Sequence, residues 1–354
     1  MSKRSLIHRD ATRSAARLAR PSSGFTLIEL MVAMLLGLIV VGGVVSVFLA
    51  NQRTYRTNQA LGDVQDGSRI AFEMMARDIR DAGLTGCGNA GRVANVLNAA
   101  PGGGGALTWW ADWSNAVHGY GSGTATTDPA LAGQNQATGA NQTDSLQLLG
   151  AADTGLSVAA TPSSTAANFK LNDTTSDLVK GDVIIVCDPD HATIVQITNY
   201  NSSNVTLDHN NGNNPSPGNC SKGMGYPTVC TTNGNGYQFG PNSQIFKLAA
   251  VDWYIGTNPV GGTSLYRMSV ATSGTTPTAT PQEMVRDVTA MNIRYHQAGG
   301  ASFVDAATVG ANWAVVDAVQ VSLSLESVDK RAGTTAKPIS RSFTATTTVR
   351  NRVQ

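Results

Sequence analysis

Charged side chains are scarce in this 354-residue chain, at 14% of residues, and they nearly cancel, leaving a formal net charge of +1. Proteins that gather nucleic acid through its phosphates need a positive field, and this chain has none to offer. The total hides an uneven distribution. Residues 1–24 hold Lys3, Arg4, Arg9, Arg13, Arg17 and Arg20 against Asp10, so the rest of the chain has 19 basic and 23 acidic side chains. Nucleic acid is disfavoured as a partner by that slightly acidic remainder.

Histidine is also thin, with His8, His118, His191, His209 and His296 scattered along the chain. None lies in an H-E-x-x-H pair or beside a G-x-S-x-G serine, so a nucleophile, a base and an orienting group cannot be assembled. The glycine run 102–105 lacks the preceding strand and following helix of a phosphate loop. No catalytic residue is assigned, and the chain is read as a non-enzyme without a cofactor. Oxygen ligands suited to calcium occur at Asp188-Pro189-Asp190 and again over residues 208–214. The second stretch lacks the alternating acidic spacing and downstream glutamate of a calcium loop, so turn chemistry is the preferred reading and no metal site is assigned.

Proline is missing between Pro21 and Pro101, and across residues 25–50 the only charge is Glu29. Those 26 residues make a helix of about 39 Å, enough to cross a hydrocarbon core of about 30 Å. An ordinary secretory signal discards its apolar stretch, but here Ser22-Ser23-Gly24 comes before that stretch, so cleavage after Gly24 leaves the anchor on the mature chain. The positive-inside rule keeps residues 1–24 in the cytoplasm and sends the C-terminus outward.

Gly24-Phe25-Thr26-Leu27-Ile28-Glu29 resembles the prepilin processing motif shared by type IV pilins and type II secretion pseudopilins. The resemblance implies cleavage after Gly24 by prepilin peptidase and N-methylation of Phe25. Glu29 then serves assembly register. A carboxylate at membrane depth costs about 2.5 to 3.5 kcal/mol on insertion scales and persists where it finds a partner. Cleavage creates that partner, the α-ammonium of Phe25 on a neighbouring subunit. Major pilins usually carry a proline some twenty residues into the mature helix, and this chain has none there.

Beyond residue 50 the pattern turns amphipathic. Leu61, Val64, Ser68, Ala71, Met75, Ile79 and Ala82 recur at spacings of three and four, and Gly83 offers a stop, so one helix is expected over 25–81. The run Arg77-Asp78-Ile79-Arg80-Asp81-Ala82-Gly83-Leu84-Thr85-Gly86-Cys87-Gly88 resembles the stretch that closes the helix in PilW-type minor pilins. Residues 84–142, rich in Gly, Ala, Asn and Thr, read as an irregular insertion. Within it Trp109, Trp110 and Trp113 either cover an open face of the sheet or form a contact surface.

From residue 143 the signals are strand-like: 145–149, 182–187, 192–198 and 204–208, then longer runs at 245–255, 264–270, 284–295, 315–326 and 342–350. Val319, Val321, Leu323 and Leu325 alternate with polar neighbours, as an antiparallel strand with one wet face does. Leu265-Tyr266-Arg267, the 283–295 run, the alternating strand and the 343–351 run are together similar to the heads of PilW and pseudopilin J. The expected fold class is α+β, with a long N-terminal helix packed on a mainly antiparallel head. Its parts are a leader (1–24), a membrane and polymerisation helix (25–50), an amphipathic helix (51–83), an insertion (84–142) and a β-rich head (143–354).

Four cysteines without a C-x-x-C pair suit disulfides in an oxidising compartment, where three connectivities are open. The preferred one joins Cys220 to Cys230 across a short loop and Cys87 to Cys187 between helix end and head; free buried thiols are the alternative. The resemblance implies a structural minor pilin in type IV pilus assembly. Its partners would be other major and minor pilins, the prepilin peptidase and the inner-membrane assembly platform. It would reside in the bacterial inner membrane with a periplasmic head, and then in the fibre or its tip. A type II secretion pseudopilin is the nearest alternative, and a membrane-tethered enzyme or calcium-dependent adhesin the alternative of another class.

Overall fold

The computed structural model of the chain describes residues 24–352, apart from 89–90, 123–127, 138–142, 162 and 165. The leader up to residue 23, His8 and parts of the insertion, including residues 124–127, lie outside the described residues. By packing, the chain divides into two units, 1–55 and 56–354. Helix α1 (Leu27–Asp81) supplies the described core of the first unit and the opening element of the second.

In the first unit α1 is apolar on every face from Leu30 to Ala50. Leu27, Ile28, Leu35, Leu38, Ile39, Val44 and Phe48 are all exposed, and the segment is long and apolar enough to cross a membrane. A helix that is hydrophobic all round is suited to lipid or to neighbouring helices. Its start is capped locally. Thr26 Oγ1 accepts from the backbone N–H of Glu29 at 3.3 Å, and the Thr26 carbonyl from that of Leu30 at 3.1 Å. Thr-x-x-Glu is the sequence of a capping box, with an acid in the first turn where the helix dipole favours it.

In the second unit α1 buries Ala60, Val64, Ser68, Ala71, Met75 and Ile79, matching the stripe expected at helical spacing, while Leu61 is half-buried. Burial of side chains such as Met75 and Ile79 stabilises by about 1.5 to 3 kcal/mol each. The helix ends where Gly83 takes φ +75, and the Gly83 N–H donates to the Leu149 carbonyl at 2.7 Å. Gly150 permits the close approach, because a Cβ there would lie 2.6 Å from the Asp81 carbonyl.

The strands follow as β1 (Val93–Asn95), β2 (Val117–Tyr120), β3 (Ser145–Ala160), β4 (Asn168–Leu171), β5 (Val183–Cys187), β6 (Ala192–Gln196), β7 (Asn199–Asn201) and β8 (Thr206–Asp208). After a long loop come β9 (Gln244–Thr257), β10 (Thr263–Ser273), β11 (Thr276–Arg286), β12 (Val288–Gln297), β13 (Val316–Glu326) and β14 (Ser340–Thr348). One sheet runs β1-β6-β5-β9-β3-β4-β8-β7, with β10 joining β9 to β11 and β2 lying on β3; a second runs β12-β13-β14. Among the described residues every strand pairing is antiparallel except β1 with β6.

Two features depart from the sequence reading. The segment 84–142 is not wholly irregular, since β1 and β2 pair into the sheet and Trp109–Ala111, Trp113–Asn115 and Pro129–Leu131 form single 3-10 turns. The run 284–295 is not one strand. It breaks at Asp287, whose φ of +57 turns the chain from β11 into β12, so Val285 pairs with Leu265 in one sheet and Val288 with Leu325 in the other.

The main core lies between α1 and the two sheets, where Met75 and Ile79 meet Trp253, Ile255, Leu148, Val321 and Leu323. Strands β5 and β6 are buried on both faces. Ile184, Val186 and Val195 face a second core with Phe169 and Phe239, while Ile185 and Ile194 face a third with Trp110, Leu149 and Phe246. Such two-sided burial gives continuous apolar runs in the sequence, whereas β13, wet on one face, alternates. Disulfides join Cys87 to Cys187 and Cys220 to Cys230. The first closes 100 residues of chain between the end of α1 and β5.

Candidate functional site

The N-terminal site is linear. Gly24, Phe25 and Glu29 are all exposed, Phe25 at 79%, and Glu29 sits in the first turn of α1. A peptidase that cuts a peptide bond needs an accessible, non-helical segment, and residues 24–26 precede the helix. The single acid in an otherwise apolar, exposed helix face is available to a second molecule.

Within the second unit, α1 is held by polar contacts that its own pattern does not announce. Arg267 on β10 grips Asp78 with two bonds, Nε at 2.8 Å and Nη2 at 3.2 Å, and the Trp253 indole N–H donates to the same carboxylate at 2.9 Å. The Arg267 guanidinium also lies 6.0 Å from the centre of the Trp253 ring. Nearer the start of the unit, Arg56 pairs with Asp329 at 2.7 Å and Thr57 Oγ1 donates to the Ala332 carbonyl at 2.6 Å. Asp78 and Arg267 lie far apart in the chain, and no local pattern in the sequence pairs them.

The head also buries acids. Asp128 accepts from Ser145 Oγ, from Gln147 Nε2 at 2.5 Å and from the Ala130 N–H at 2.9 Å. Asp252 on β9, paired with Gln147 of β3, is completely buried beside it. Burial and the neighbouring Asp128 charge hold the Asp252 carboxyl well above the ordinary carboxylate range.

The described histidines stay apart. His191 stacks on Tyr237 with ring centres 4.1 Å apart, His209 is enclosed against Phe169, His296 Nδ1 lies 2.6 Å from Asp317, and His118 contacts Tyr120 and Trp313. The Asp188-Pro189-Asp190 carboxylates are engaged: Asp188 accepts from the Tyr237 hydroxyl at 2.8 Å, and Asp190 pairs with Arg92 at 2.9 Å. Among the described residues no three His, Cys, Asp or Glu side chains converge as metal ligands.

The family model of the prokaryotic N-terminal methylation motif matches residues 19–45. That stretch spans the Gly24-Phe25 bond, Glu29 and the apolar start of α1. The match supports a pilin-like or pseudopilin-like protein, since a prepilin-type motif implies prepilin peptidase processing and pilin-type assembly. No curated protein and no solved structure matches the chain.

Proposed function

We propose that this protein is a minor pilin of a type IV pilus, close to the PilW branch, and that it acts as a structural subunit priming or capping the fibre. The observation that carries the reading is the methylation motif at 19–45 at the start of an exposed apolar helix, which continues as the amphipathic element of a large β-rich head. In this reading prepilin peptidase cuts after Gly24, Phe25 is N-methylated, and residues 25–50 stay in the inner membrane with the head in the periplasm. The new α-ammonium of Phe25 is then neutralised by Glu29 of an adjacent pilin, a pairing favoured by the low dielectric around packed apolar helices. Other major and minor pilins meet the chain through this helix, at the assembly platform.

Gly24→Ala tests the processing step: the variant accumulates as a full-length, membrane-bound precursor, and a product of wild-type mature mass refutes the reading. Deletion of the protein separates the two kinds of assembly. Loss of surface pili and twitching supports a pilus role, whereas intact pili with exoproteins retained in the periplasm identify a type II secretion pseudopilin.

A further inference from the structure

Above Gln147 the head contains an open cavity of about 240 Å³, walled by Trp109, His118, Tyr120 and Pro129. Asp112, Asn115 and Gln147 bring polar groups to the same space. We propose that this cavity binds a neutral pyranose ring.

The walls are rich in rings, the side chains suited to the C–H side of a sugar, and the polar groups suit its hydroxyls. Two side-chain amides are fixed in place. Asn115 Nδ2 donates to Asp112 at 2.8 Å and Gln147 Nε2 to Asp128 at 2.5 Å, which orients both amide oxygens as acceptors. Thr108 lines the same space, but its hydroxyl is closed off from it, so the two amides carry the polar recognition.

Charge narrows the class. No lysine or arginine lines the cavity. Burial holds the His118 imidazole below its ordinary value, so the walls have no cation at neutral pH for a phosphate or an acidic sugar. Asp112 is already satisfied by Ser114 Oγ and Asn115, which weighs against an ammonium ligand. The volume is below the roughly 300 to 1,000 Å³ of cavities for drug-sized ligands and suits one ring. The site lies within the head unit and does not depend on how the N-terminus is processed.

The test titrates the full chain, held in a polyoxyethylene detergent that carries no sugar, with methyl pyranosides of glucose, galactose, mannose and N-acetylglucosamine. Saturation-transfer NMR and tryptophan fluorescence report binding. At least one pyranoside binds with a Kd of about 1 mM, and Asn115→Ala weakens it about tenfold without moving the melting temperature. Trp109→Ala abolishes binding; because Trp109 also packs in the core, the Asn115 variant decides if that protein misfolds. The proposal is overturned if no pyranoside saturates below about 50 mM, if binding is indifferent to Asn115→Ala, or if tetramethylammonium binds in place of the sugars.

Discussion

His209 and Asp252 give the head opposite responses to pH. Enclosure against Phe169 lowers the His209 pKa to about 4, whereas the unfolded imidazole titrates near 6.5. Below pH 6.5 the unfolded chain takes up a proton that the folded head refuses, so this contribution falls as pH drops, by about 2 kcal/mol at pH 5. Asp252 works the other way. Its folded pKa is raised, so both states are protonated at low pH, and stability falls as pH climbs past the unfolded carboxylate value of about 3.9. Melting curves should separate the two. Asp252→Asn raises the melting temperature at pH 8 and much less at pH 4, while His209→Leu flattens the loss between pH 7 and pH 5. A wild-type pH slope in either variant contradicts the corresponding assignment. Asp78→Ala strands Arg267 and the Trp253 N–H, and chemical denaturation should show a loss of about 2 to 3 kcal/mol. None of these residues was legible as a partner in the sequence. Asp78 and Arg267 stand 189 positions apart, and no local pattern encodes a contact at that distance.

At the scale of elements, legibility followed periodicity. The inner face of α1 was readable because tertiary packing selected the same residues, from Val64 to Ile79, that helical spacing puts in line. Strand β13 was readable for the same reason at period two. The break at Asp287 was not, because Met284, Val285 and Val288 continue the strand composition while the backbone changes sheets. Strands β1 and β2 were hidden by their brevity and by the glycines around them. The link from Cys87 to Cys187 belongs to this scale, as it fastens the end of α1 to a central strand. Replacing both cysteines with serine should cost about 4 to 5 kcal/mol for so long a loop, read as a lower denaturation midpoint with a steeper slope, because the unfolded chain is freed to expand. An unchanged midpoint would mean that the loop is already restricted in the unfolded chain.

For the whole molecule, the decisive contrast is between a well-packed head and an apolar helix segment that the chain leaves exposed. In the proposed function lipid covers such a segment before assembly, and neighbouring helices cover it afterwards. In that reading the Glu29 backbone N–H caps the first turn on Thr26, and its carboxylate is left for the Phe25 terminus of an adjacent subunit. Glu29→Ala should therefore be cut and inserted normally yet recovered from sheared fibres at a small fraction of the wild-type amount. Equal recovery would remove the register argument.

Mass spectrometry of the protein isolated from piliated cells tests the central claim most directly. The account predicts a chain that begins at Phe25 and carries one methyl group on its α-nitrogen. A chain that still holds residues 1–24 in cells with working pili would contradict it.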